Sequence, residues 1–358
     1  MNLRYMDRDT TAAIKGIALI FMFIHHFYNF PEFYIEGISF PWVESFTNLT
    51  YALLKMCVAL FAFLTGYFYS FNSQRTWRYS FRKISDLYVC YWLVYLPMLL
   101  FAVLTGCYEF SLYSFAFELA GLKLPFMVFC WYIEFYCCTM LLLQLLAHRE
   151  NNPVEDILWL LILPVVLTSV LSGMYLEGFL NGVILHIRDW FPSVVSGFLC
   201  AKYGIFEKLF ERNVSRCRNT LGKIFIWVSM LATAAVGRYW WSYLYFGSMY
   251  LRSGEYPIML SSDFFLVPLF VYGAARLLQY IRNISVMKFL QQLGKYSLHM
   301  WFLHCIFFNV CNSITQPVLY WPKNPVLVVL WGLLLCYVPA VLLDKLIAPA
   351  NKLKNRFL

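Results

Sequence analysis

Ten continuous apolar runs, each 15 to 23 residues long, follow one another along the chain. They lie at approximately 13–30, 50–71, 87–106, 130–147, 157–174, 190–204, 222–241, 259–280, 296–314 and 325–347. A helix rises about 1.5 Å per residue, so about 20 apolar residues cross a hydrocarbon layer about 30 Å thick. Inside lipid the backbone has no water to bond, and a helix satisfies its N–H and C=O groups within one segment. A transmembrane β-barrel would instead alternate polar and apolar residues over about 10 positions. The predicted fold is an all-α polytopic membrane protein of about ten transmembrane helices, a single transmembrane domain over residues 1–358. Only 13% of the residues are charged, and the mean hydropathy is +0.63. Soluble domains carry about 25% charged residues, so a water-exposed globule is excluded. Disorder and short-period repeats fail for the same reason. The sixth run is the shortest, and it extends upstream or enters the membrane at an angle. The aromatic stretch 110–129, with Pro125, reads as an interfacial or re-entrant piece.

The net charge of +9 suggests a nucleic-acid partner until its distribution is read. Twenty-two of the Lys and Arg residues fall at the termini and in alternate loops, whereas the opposite loops hold only Lys123, Arg188, Arg252 and Lys323. Cationic residues gather in short cytoplasmic loops. Both termini are therefore expected in the cytoplasm, with an even number of spans and no nucleic-acid partner. The eleven Cys residues lie mostly within apolar runs and show no CxxC-type spacing. They read as packing, with no disulfide framework and no metal site. No short apolar segment with a small-residue cleavage site opens the chain, so no removable signal peptide is expected. No internal repeat is visible.

Ionisable residues within a membrane are costly, and each is a functional candidate by default. The first run carries Lys15 near its cytoplasmic end, and His25 and His26 near the other. Eleven residues at about 100° each bring His26 within about 20° of the Lys15 face, about 16 Å along the axis. His25 lies about 80° away from that face. The bland alternative is a snorkelling Lys and a His bonded between helices. Lys55, in the second run, must pair or face a cavity. The loop RYWWSYLYFGSMY (238–250) offers rings on which sugars stack, although Trp and Tyr also collect at membrane interfaces. The Asn-X-Ser/Thr triplets at 213 and 283 fall in expected cytoplasmic loops and carry no meaning there.

The segment KGIALIFMFIHH (15–26) resembles the first span of the acyltransferase-3 family of integral membrane acyltransferases, whose mark is a basic residue, ten residues, then His. VALFAFLTGYFYS (58–70) is similar to the family's second span, with Thr65 in place of the Ser before Gly66-Tyr67. FRKISDLY (81–88) resembles its basic entry to the third span. WYIEFY (131–136) resembles its Trp-led fourth, and LGKYSLHMWFLH (293–304) its Ser-to-His penultimate span. The five similarities occur in the family's order over the whole chain. One departure concerns a pair of Arg three apart: the literal pair is Arg75 and Arg78, slightly upstream of the pattern, where Lys83 and Asp86 stand instead.

The resemblance implies an O-acyltransferase, acyl-CoA dependent, in the inner (plasma) membrane. On that resemblance it is expected to move an acetyl group from cytoplasmic acetyl-CoA to a hydroxyl of a cell-surface polysaccharide or lipid-linked glycan precursor of the cell envelope. Such chemistry needs cations for the CoA phosphates, a base for the hydroxyl and donors for the oxyanion. Lys15, Arg75, Arg78, Arg82 and Lys83 are the candidates for the donor phosphates. His26 is the candidate general base, or carries the acetyl as an acyl-imidazole. Glu134 is a second catalytic candidate, orienting an imidazole or binding a sugar hydroxyl. Trp131, Tyr132, Ser297 and His304 are candidate substrate contacts, while His299, about 140° around the helix from His304, faces elsewhere. The rival reading is a transporter or flippase of a glycan intermediate.

Overall fold

A computed structural model describes residues 6–30, 34–38, 53–71, 76–122, 128–147, 152–172, 174, 179–246, 261–282 and 284–357. Among them the secondary structure is helical throughout, with no strand. In chain order the helices are α1 (Arg8–Tyr28), α2 (Met56–Ser70), α3 (Trp77–Leu104), α4 (Leu112–Leu119), α5 (Tyr132–Leu146), α6 (Leu163–Ser172) and α7 (Phe179–Lys202). They continue with α8 (Thr220–Phe246), α9 (Asp263–Tyr280), α10 (Ser285–Lys295), α11 (Ser297–His304), α12 (Asn312–Leu319) and α13 (Pro325–Phe357). A 3-10 turn, Val128–Trp131, leads into α5, and a π-helical segment, Ile157–Ile162, leads into α6.

Among the described residues seven helical stretches are long and apolar enough to cross a membrane: Arg8–Tyr28, Trp77–Leu104, Phe129–Leu146, Pro153–Leu171, Leu180–Lys202, Thr220–Trp241 and Pro325–Ile347. Their outer faces remain apolar. Along α13 Val326, Leu330, Leu334, Val338, Leu342 and Leu346 form an exposed stripe at every fourth residue. A stripe of that kind is lipid-facing, because water-soluble proteins rarely leave so large a patch uncovered. The chain is an all-α integral membrane protein.

Three of the ten expected runs take other forms. The second is the 15-residue apolar helix α2, its upstream part lying outside the described residues. The eighth becomes α9, whose Asp263 and Arg276 lower its hydropathy. The ninth is broken: Ser297–Phe308 and Asn312–Leu319 meet at a bend of 115°. The bend is bonded internally, with the Asn309 side chain accepting from Cys311 N–H at 2.9 Å and the Thr315 hydroxyl donating to Ile306 O at 3.0 Å. Non-helical backbone at membrane depth requires such partners. The short sixth run does extend upstream, to Phe179, and Arg188 forms an ion pair with Asp189 at 2.9 Å.

The chain forms two compact units. The first gathers Met1–Met22, Asn48–Arg75 and Leu141–Lys295. Asp7 opens α1 by accepting Thr10 N–H at 2.7 Å. Partial burial favours its neutral form, but the Thr10 bonds and the Arg282 charge outweigh it, and its pKa sits below the usual carboxylate value. Helices α2 and α7 approach backbone to backbone. A Cβ on Gly66 would stand 1.9 Å from Val194 O, and one on Gly197 2.0 Å from Phe63 O. Small residues permit this close crossing in membranes. Buried ion pairs complete the unit. Arg238 holds Asp263 through two bonds of 2.7 and 3.1 Å, and Lys202 holds Asp156 at 2.6 Å.

The second unit gathers Phe23–Thr47, Thr76–Met140 and Tyr296–Leu358. In the stretch 110–129, read as an interfacial or re-entrant piece, the helix α4 has eight residues, too few to cross a membrane; Pro125 lies outside the described residues. The last carbonyls of a helix lack partners of their own. Here α3 supplies them: Tyr91 donates to Glu118 O at 2.7 Å, Trp92 to Leu119 O at 2.9 Å and Tyr88 to Ala120 O at 2.6 Å. The Glu118 carboxylate in turn accepts from Tyr95 at 2.8 Å and from Tyr108 at 3.1 Å.

Candidate active site

The last turn of α1 belongs to the second unit and points His26 at α11. Its Nδ1 lies 2.6 Å from Nε2 of His304, and Nδ1 of His304 in turn meets the carbonyl oxygen of Trp301. His304 is completely buried and His26 only 8% exposed. Aromatic rings enclose the pair. Phe129 lies flat on His26, centroids 4.0 Å apart and planes 8° from parallel, and Phe23 leans on His304 at 5.4 Å. Phe30 covers another side of His26 at 5.6 Å, and Phe308 backs Phe129 at 5.4 Å. Phe129 lies in the 3-10 turn Val128–Trp131 that leads into α5.

The neighbouring His25 has a different partner. Its Nδ1 accepts from the Asn29 amide at 2.9 Å, one turn along the same chain segment. The helical spacing that separated the two histidines in the sequence corresponds to two separate bonding environments. His299 likewise turns away from His304, its Nε2 standing 3.8 Å from Cys90 Sγ on α3.

The other site candidates take the following places. Ser297 is buried at the start of α11, seven residues and two turns before His304, hence on nearly the same face. Tyr132 stands edge-on to Trp301 at 5.6 Å, and Trp131 edge-on to Tyr132 at 6.0 Å. Glu134 is buried in the first turn of α5. The partner of the His26 imidazole is thus His304, read from sequence as a substrate contact, rather than Glu134. Arg78 and Arg82 are exposed, one turn apart at the start of α3, and Lys83 stands 5.8 Å over the Tyr79 ring. Lys15 lies on α1 within the first unit, and Arg75 lies outside the described residues. Lys55 stands over the Trp190 ring at 5.7 Å, and Arg238, in the aromatic stretch 238–250, holds Asp263. Most of that aromatic stretch lies outside the described residues or has side chains that do.

Sequence reasoning did not single out Phe129, the Trp301 carbonyl or the thiols of Cys130 and Cys305, which meet at 3.6 Å beside His304. Cys305 Sγ also donates to Trp301 O at 3.4 Å and stands 3.9 Å from His304 Nδ1.

Taken together, the fold and the site define an integral membrane protein with a buried, aromatic-walled pair of imidazoles. A family model for an acyltransferase domain matches residues 9–345, nearly the whole chain and both units. The protein belongs to that family, the acyltransferase-3 family, and is a membrane acyltransferase. No curated protein and no solved structure matches the chain.

Proposed function

We propose that this acyltransferase moves an acetyl group from acetyl-CoA to a hydroxyl of a cell-surface polysaccharide or its lipid-linked precursor, at the plasma membrane, with His26 as general base. The observation that carries this reading is the His26 imidazole, buried in an apolar aromatic setting with one nitrogen engaged by His304. An imidazole changes protonation near neutral pH, which suits it to accept a hydroxyl proton and return it. In the transfer, His26 takes the acceptor's O–H proton while that oxygen bonds the acyl carbon. The carbon–sulfur bond of the thioester breaks, and the departing thiolate receives a proton. The apolar walls favour a reaction shielded from water, which would otherwise consume the donor. Arg78, Arg82 and Lys83, at the start of α3, suit the donor's phosphates, with both chain termini on that cytoplasmic side.

His26→Ala is expected to lower acetyl transfer about 10²–10⁴-fold at matched membrane abundance, while His25→Ala keeps clear activity. Acetyl content of the surface glycan, measured by mass spectrometry with protein level checked in the same membranes, decides it. Normal acetylation by the His26 variant would remove the base and with it this reading.

A further inference from the structure

The hydrogen bonds around His26 determine which of its nitrogens is available. Helix α11 ends at His304, where the backbone N–H of Cys305 turns to Leu303 O. The Trp301 carbonyl at this helix end faces Nδ1 of His304 and also accepts the Cys305 thiol at 3.4 Å. A carbonyl oxygen only accepts, so that nitrogen carries the hydrogen. A neutral imidazole carries one N–H, which makes Nε2 of His304 an acceptor. Opposite it, at 2.6 Å, stands Nδ1 of His26, which must then donate. Nε2 of His26 is left with its lone pair.

We propose that His304 is a positioning residue that holds His26 in the Nδ1–H tautomer and so makes Nε2 the atom that takes the acceptor's proton. This rests on the reading of His26 as the base. The arrangement follows the logic of a hydrolase triad, in which a third group orients the catalytic imidazole and steadies its charged form. Here the third group is a second imidazole, and its own orientation is fixed by a helix-end carbonyl. Phe129, parallel to His26 at 4.0 Å, fixes the plane of the ring, while His304 fixes its rotation within that plane. When Nε2 of His26 gains a proton, the hydrogen on Nδ1 can move toward Nε2 of His304, and the positive charge is shared across the pair. The charge leaves again when Nε2 gives its proton to the departing sulfur.

Two variants separate positioning from packing. His304→Leu fills the space but accepts nothing from Nδ1. His304→Gln offers an amide oxygen to accept from His26 and an amide N–H to donate to Trp301. The assay follows labelled acetyl from acetyl-CoA into the glycan of membrane vesicles that contain the native acceptor, with acetyl-CoA varied and folded protein quantified. His304→Leu is expected to lower kcat about 10²-fold or more with the KM for acetyl-CoA little changed. His304→Gln should recover activity to within about 10-fold of the parent. A wild-type kcat in His304→Leu overturns the proposal, and so does a Gln variant no better than Leu at equal folded amount. His26→Ala in the same assay keeps the two ideas apart. If it is inactive while His304→Leu is normal, only the positioning role fails; if it is active, the base itself is wrong.

Discussion

In the first unit the strongest polar contacts are ion pairs. Arg238 sets Nε and Nη2 on the two carboxylate oxygens of Asp263, Lys202 sits on Asp156, and Arg276 holds Glu211 at 2.5 Å while Tyr272 donates to the same carboxylate at 2.6 Å. Around His26 in the second unit the polar contacts are imidazole to imidazole, imidazole to carbonyl and thiol to thiol. The difference has a physical reason. A buried ion pair is costly to desolvate and costlier to break, so it holds one arrangement. An imidazole can donate or accept at either ring nitrogen, so a pair of them can pass a proton without exchanging partners. On the proposed reading of His26 as the base, the first unit holds its arrangement and the second moves a proton. Substitutions in the first should therefore damage the folded state, and substitutions beside His26 the rate.

The strongest way to break that division is to strand a charge in the first unit. Asp263→Ala leaves Arg238, itself only 7% exposed, without its carboxylate. Removing one partner of a buried pair costs about 3–5 kcal/mol. The loss should be read as a lower midpoint in SDS-induced unfolding and lower membrane abundance. Replacing both partners, Arg238→Met with Asp263→Leu, should restore most of the stability, because no unpaired charge then remains. If the single variant unfolds at the parent's midpoint, or the double variant is as weak as the single, the pair does not hold the unit.

A smaller effect is expected where α2 and α7 cross. Gly197→Ala places its Cβ against the Phe63 carbonyl, a backbone atom that cannot rotate away. Overpacking of this kind costs about 1–3 kcal/mol. Activity per folded molecule should hold, since both residues belong to the first unit and His26 to the second. A rate loss without a change in the unfolding midpoint would place this crossing with the chemistry instead of the scaffold.

Much of this was legible in the sequence, and the limits have physical causes. Apolar runs set most of the helices, because lipid demands about 20 apolar residues in a row. α7 was underestimated because Arg188 and Asp189 interrupt the run, and their mutual pairing is invisible in composition. The bend in the ninth run was hidden too, since Asn309 and Thr315 read as two ordinary polar residues until their bonds at the break are seen. Spacing separated His26 from His25, because a helix converts residue number directly into angle. It could not join His26 to His304, 278 residues away, nor give the Trp301 carbonyl its part, because that depends on where one helix stops. Glu134 was a candidate to orient an imidazole or to bind a sugar hydroxyl; the first place, beside His26, is taken by His304.

The smallest expected effect tests whether neutrality alone marks the chemistry. Tyr91 belongs to the second unit, and its hydroxyl bonds only the end of α4, through Glu118 O. If the division is one of neutral against charged groups, Tyr91→Phe should lower the rate. If it is set by contact with the two imidazoles, the variant should cost only the bond. A neutral hydrogen bond contributes about 0.5–1.5 kcal/mol net, so the unfolding midpoint should fall slightly. Tyr88 and Trp92 still supply the neighbouring carbonyls, which keeps α4 in place. Acetyl incorporation per folded molecule is then expected to stay within about 3-fold of the parent, since one such bond corresponds at most to roughly a 10-fold shift in a local equilibrium. A loss of 10-fold or more in kcat with an unchanged midpoint would mean that α4 holds Phe129 over His26, and would move the boundary of the site outward to the tyrosines of α3.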